Sequence, residues 1–144
     1  MSTQRNNSGF QLSHSNWLEN HHNAKKDLRY DFAKKLALRN PKSIVDIGCG
    51  TGLWLSIFNE ILPKDCKFIG IDFDRNSLKE AEGRAAKWDR ECEWISLDIN
   101  KDAEKIPPAD LALIFNFSSY IEDLDSILAI LSKKRGFKEI GAIL

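Results

Sequence analysis

Ser43-Ile44-Val45-Asp46-Ile47-Gly48-Cys49-Gly50-Thr51-Gly52 is the stretch that decides the fold. Ser43 to Ile47 is short, apolar and β-branched, and reads as a buried strand. Three glycines at alternate positions then leave almost no side-chain bulk over the turn. Glycine reaches positive φ without strain, so the chain can bend sharply and bring backbone N–H groups toward a ligand. Leu53 to Leu62 reads as a helix closed by Pro63, and its unpaired N-terminal N–H groups would face the same place.

The alternation continues outward from this turn. Lys67 to Ile71 is predicted as a second strand, and Arg75 to Trp88 as a helix capped by Asp74. Glu93 to Leu97 is predicted as a third strand. Asn100 to Ala109 is a polar connection where the fold would prefer a helical turn. Leu111 to Phe115 is a fourth strand, Asp123 to Lys133 a helix ended by Gly136, and Glu139 to Leu144 a fifth strand. Upstream, Trp17 to Arg39 is predicted to be helical, with Leu28, Phe32 and Leu36 on one face. Asn40-Pro41 ends it. Strands alternating with helices give an α/β fold with a Rossmann-like parallel sheet, expected in the order 3-2-1-4-5. The domain division is a flexible leader (1–16), an N-terminal helical lid (17–40) and a cofactor-binding domain (41–144).

Composition narrows the class. Lysine plus arginine number 21 and aspartate plus glutamate 21, so the net charge is zero and nucleic acid is not favoured as a partner. No apolar run is long enough to span a bilayer, which argues against a membrane partner. Cys49, Cys66 and Cys92 are widely spaced. They form no zinc or disulfide pattern, no metal is expected, and a reducing cytoplasmic setting is the natural reading. His14, His21 and His22 read as surface residues, because adjacent helical positions point about 100° apart.

Ligands of open α/β sheets collect beyond the carboxyl ends of the strands. Asp72, after strand two, is placed to accept hydrogen bonds from both hydroxyls of a ribose. Phe73 offers a flat apolar face to a base. Asp98, after strand three, could accept from an exocyclic amine. Asn116, Phe117, Ser118, Ser119 and Tyr120 follow strand four. The glycine spacing then separates cofactor classes. Dinucleotide folds use G-x-G-x-x-G, and here the position of the third glycine is Leu53.

The loop from Asp46 to Gly52 instead resembles the D/E-x-G-x-G-x-G motif of class I S-adenosylmethionine-dependent methyltransferases. Ile69-Gly70-Ile71-Asp72, Ile95 to Ile99 and Leu111 to Tyr120 resemble the later motifs of that family. The resemblance covers Lys42 to Leu144. It implies S-adenosylmethionine as cofactor, with Asp46, Gly48, Gly50 and Gly52 under the methionine part and ribose. It likewise implies Asp72 on the ribose, Phe73, Asp98 and Ile99 around the adenine, and Asn116 near the methionine part. The implied reaction is in-line methyl transfer, with a small molecule expected as acceptor and no catalytic base assigned. Protein or RNA methylation and a catalytically silent binding domain are the alternatives. Asn116 to Tyr120 departs from the N-P-P-Y motif of base-amine methylases. The chain is expected to lack the last two strands of the family core. Arg29, on the lid, is a candidate clamp for a carboxylate.

Overall fold

The computed structural model describes residues 26–115, 122–133 and 139–143, the last of these as backbone. Five parallel strands form one sheet: β1 (Ser43–Ile47), β2 (Lys67–Asp72), β3 (Cys92–Ser96), β4 (Leu111–Phe115) and β5 (Glu139–Ile143). Their order is β3-β2-β1-β4-β5, as expected. The order reverses between β1 and β4, so the glycine turn that leaves β1 lies at the switch point.

Both sheet faces are covered, which explains why the strands read as near-continuous apolar runs. Ile44, Phe68, Leu111, Leu113 and Phe115 point to one face. There they meet α1 (Lys26–Ala37), α2 (Leu53–Ile61) and α3 (Arg75–Ala85) through Ala33, Trp54, Leu55, Phe58 and Leu78. Val45, Ile47, Ile69, Ile71, Ala112 and Ile114 point to the other face. They pack on α4 (Ile99–Asp102), a following 3-10 turn (Ala103–Lys105) and α5 (Leu124–Lys133). The polar connection after β3 therefore does contain a helical turn, and Ile99, Ala103 and Ile106 seal the second core.

Three expectations need correcting. Helix α1 does not turn Leu28 inward: Leu28 is 73% exposed, and Arg29 and Ala33 are the buried residues. Phe32 and Leu36 keep their inward role, at partial burial. A four-residue spacing of apolar groups tolerates this small rotation, because the aliphatic stem of an arginine packs much as a leucine does. Helix α3 stops at Ala85, three residues before Trp88. Two short turns follow it, and Asp89 adopts a φ of 51°. Strand β3 begins and ends one residue early, at Cys92 and Ser96.

The end of α2 is held by one side chain. Arg90 donates Nε to Asn59 Oδ1 (2.9 Å), Nη1 to the carbonyls of Pro63 (2.8 Å) and Cys66 (2.9 Å), and Nη2 to those of Asn59 (3.2 Å) and Leu62 (3.1 Å). Its guanidinium lies 4.1 Å from the centroid of the Phe68 ring.

Gly70 sits in the middle of the first face, in register with Asp46 on β1 and Trp94 on β3. A Cβ placed there would come within 2.4 and 2.5 Å of the Trp94 ring and 3.0 Å of Cys49 Sγ. The missing side chain is what lets the indole lie across β2. Gly70→Ala is expected to destabilise the domain by about 2 kcal/mol through overpacking. Adding Trp94→Leu should recover most of that loss in a urea titration. Additive losses in the double variant would show that the ring is not the cause.

Candidate functional site

The glycine turn is built on the end of β2 rather than left open. Gly48 N–H and Cys49 N–H both donate to the Ile71 carbonyl, at 2.7 and 2.9 Å, and Gly52 N–H donates to the Cys49 carbonyl at 3.0 Å. Gly50 N–H donates to Asp72 Oδ2 at 2.9 Å. Those four N–H groups are therefore engaged within the protein, against the expectation that they would be offered to a ligand. They fix the shape of the turn instead.

The glycines divide the work. All three have positive φ: 77° at Gly48, 55° at Gly50 and 84° at Gly52. A Cβ on Gly52 would lie 3.2 Å from Ala81 Cβ, so this glycine lets α3 close on the start of α2. A Cβ on Gly50 would meet nothing within 4 Å. Gly50 is thus the residue that keeps open space over the turn. From α3, Arg84 Nε donates to the Thr51 carbonyl at 3.1 Å and braces the turn from outside.

Asp72 is the junction of the site. Its Oδ2 accepts from Gly50, and its Oδ1 accepts from Asp74 N–H at 2.9 Å. Its own carbonyl accepts from Leu97 N–H at 3.0 Å, which brings the chain leaving β3 alongside. The Phe73 N–H bears on the same carboxylate, and the four lone-pair positions of its two oxygens leave capacity for a further donor. Asp74, as expected, is the cap of α3, accepting from Asn76 N–H and Ser77 Oγ at 3.0 Å each. Phe73 stands beside Asp72 as an exposed large apolar side chain.

Asp98 is exposed and caps α4, accepting from Asn100 N–H at 3.1 Å. Ile99 turns its side chain into the second core, which leaves its backbone for any contact with a base. Asn116 to Tyr120, together with Trp17 and the three histidines, lie outside the described residues. Among the described residues no cluster of His, Cys, Asp or Glu could hold a metal ion, and no helix is long and apolar enough to cross a membrane.

Asp46 is 2% exposed, and its Oδ2 has no hydrogen-bond partner. Burial, with the Asp72 charge as a second cause, pushes its carboxyl up to about 7. Burial raises Asp72 as well. Two carboxyl groups confined under one turn favour a positively charged ligand. Burial, with the charges of Asp46 and Asp72 as further causes, pushes the Cys49 thiol well above its ordinary range, which disfavours the thiolate.

The Asp46 shift fixes a pH dependence. The unfolded carboxyl ionises near 4 and the folded one near 7, so the folded state binds the proton more tightly between these values. Stability therefore falls as pH rises from about 4 to about 7, by on the order of 4 kcal/mol for three pKa units. Asp46→Asn is expected to stabilise the protein at pH 8 and to change little near pH 4. Urea titrations at the two values would test this, and equal effects at both would refute it.

Arg29 is buried, with its guanidinium 5.4 Å from the Trp54 ring centroid, and desolvation lowers its pKa. It is therefore not the exposed charge that a helix surface would ordinarily carry. Neighbouring Tyr30 donates its hydroxyl to Glu60, so α1 is fastened to α2 at this point. Trp54 rests on Phe115, the last residue of β4, with ring centroids 4.2 Å apart.

A glycine turn at the switch point, an acid at the end of β2 bound to that turn and a second acid buried beneath it form one arrangement. Residues 45–134 match the methyltransferase domain family. The chain belongs to that family. The resemblance to class I S-adenosylmethionine-dependent methyltransferases is therefore confirmed, and so is the Rossmann-like sheet.

This methyltransferase domain is similar to the demethylmenaquinone methyltransferase of Oceanobacillus iheyensis, with 29% identity over 82 residues, 57% of this chain and 33% of the relative. It also resembles the solved structure of the plantazolicin methyltransferase BpumL in complex with SAH. That likeness has a TM-score of 0.65 and 25% identity over 83% of this chain and 46% of the other. The StiE O-MT structure shares the fold, with a TM-score of 0.66 and 24% identity over 80% of this chain and 41% of the other. The domain thus spans about a third of the curated relative's length and under half of these structures'.

Proposed function

We propose that the chain binds S-adenosylmethionine at the glycine turn and forms the cofactor side of a site that methylates a small molecule. The observation that carries this reading is the Gly50–Asp72 bond. It fixes a carboxylate with remaining acceptor capacity beside an open glycine turn, where a ribose diol can be held by charge-assisted hydrogen bonds. The protein groups suit that cofactor in charge as well: a cation such as the sulfonium would favour the ionised forms of Asp46 and Asp72, which burial otherwise disfavours.

When bound, S-adenosylmethionine supplies an electrophilic methyl group. The chain's own residues bind and orient. Asp72 holds the ribose, and the exposed Phe73 ring covers one face of the adenine. Asp98 and the Ile99 backbone would meet its polar edge, and Asn116, which lies outside the described residues, is assigned to the methionine part on the family resemblance. Placing two reactants in line and excluding water supplies most of the acceleration in such transfers, so no dedicated base is required of this chain. A small acceptor is favoured by the relatives, named for demethylmenaquinone and plantazolicin. The zero net charge of the chain agrees with it.

Isothermal titration with S-adenosylmethionine, SAH and NAD tests the cofactor. Binding of the first two and not of NAD is expected, and binding of NAD alone overturns the reading. Turnover on a panel of small phenols, amines and quinols tests the acceptor. Methylation confined to a peptide or an RNA would replace the small molecule.

A further inference from the structure

Two buried side-chain polar atoms among the described residues have no hydrogen-bond partner: Asp46 Oδ2 and Trp54 Nε1. Leaving such a group unsatisfied costs about 1–3 kcal/mol, so each calls for an explanation. They are not scattered. Asp46 lies two residues before Gly48 and Trp54 two residues after Gly52, so the pair brackets the glycine turn. One is an acceptor on the strand entering the turn, and the other is a donor in the first turn of the helix leaving it.

Trp54 is 8% exposed, and its ring is held at the carboxyl end of the sheet by Phe115 (4.2 Å) and Phe32 (6.4 Å). The Arg29 guanidinium lies 5.4 Å from the centroid of the same ring. Gly52, the cap of α2, supplies no side chain to that helix end. A buried acceptor on the strand entering the turn and a buried donor on the helix leaving it match the two ends of an α-amino acid zwitterion. The ammonium needs an acceptor, and the carboxylate needs a donor.

We infer that Trp54 Nε1–H is a hydrogen-bond donor to the carboxylate of the cofactor's amino acid tail, and that it makes the site select nucleosides carrying such a tail. This rests on the cofactor reading above. Trp54 acts here as a specificity determinant. It donates a hydrogen bond and takes no proton and forms no covalent bond, so it needs no further reactant.

The test compares two ligands that share the adenosine and the thioether and differ in the tail: SAH and 5′-methylthioadenosine. Trp54→Phe keeps an aromatic ring on Phe115 and removes the donor together with part of the ring, and the methylthioadenosine comparison controls for the lost packing. It is expected to weaken SAH by about tenfold to a hundredfold and to change methylthioadenosine by less than about twofold. A ring that only packs would move both ligands together. In the unmutated protein, the indole N–H resonance of Trp54, assigned with the variant, should shift on adding SAH and stay in place with methylthioadenosine. That second measurement holds even if the variant fails to fold.

Equal weakening of both ligands, no weakening of either, or an indole resonance that responds to both alike would each overturn the inference. The last would point to an ordinary buried water on Nε1. If the unmutated protein binds neither ligand, the cofactor reading itself has failed, a result separate from any Trp54 effect.

Discussion

Alanine at Asp72 is expected to weaken S-adenosylmethionine binding by about a hundredfold to a thousandfold, the value of two charge-assisted hydrogen bonds to a diol. The side chain has two tasks, and the variant removes both. It loses the acceptors for the ribose, and it releases Gly50 N–H and Asp74 N–H from their shared carboxylate. Asparagine at this position separates the tasks, because its one oxygen can satisfy either Gly50 or Asp74 but not both. An affinity in the asparagine variant between those of alanine and aspartate is expected. Removing the negative charge at Asp72 should also lower the Asp46 ionisation toward the ordinary carboxylate range, since Asp72 is one of its two causes. Titration calorimetry reads the affinity. A loss below about threefold in the alanine variant would mean that Asp72 only shapes the turn.

The second large effect is on stability and should spare the ligand. Arg90→Ala is expected to destabilise the domain by about 3 kcal/mol. All five guanidinium N–H groups are in use, on four carbonyls and one side-chain amide at the end of α2. The aromatic stack on Phe68 is lost with them. Lysine would recover only part, since a point charge cannot serve five acceptors spread along a fork. Cofactor affinity in the folded variant should stay within about twofold of the unmutated protein, because these partners lie at the far end of α2 from Gly52. A urea titration beside a binding isotherm checks both halves. A large loss of affinity without loss of stability would contradict this assignment.

The contrast between these two residues shows what the sequence makes legible. Asp72 ends an apolar strand at a fixed interval from a glycine turn, and the fold rule that ligands gather there is local in origin. Parallel pairing was legible for the same reason, since each strand is a short apolar run separated from the next by a helix. Arg90 carries no such mark. Its five acceptors come from a stretch more than twenty residues upstream, and only the folded chain brings them together. The rotation of α1 was hidden because Leu28 and Arg29 are neighbours in sequence and either could face inward. The orphan indole of Trp54 was invisible for another reason: whether a polar atom has a partner is a property of its surroundings. The engaged N–H groups of the turn were missed because glycine content reveals where a chain can bend and not which carbonyls it bends toward.

Gly70 and Trp94 carry a consequence for descent. The Trp94 indole fills the volume that a Cβ on residue 70 would take. The constraint runs one way. Residue 94 can shrink while the glycine stays, but a side chain at residue 70 is disfavoured while the tryptophan stays. Among relatives, a larger residue 70 should therefore occur with a smaller residue 94.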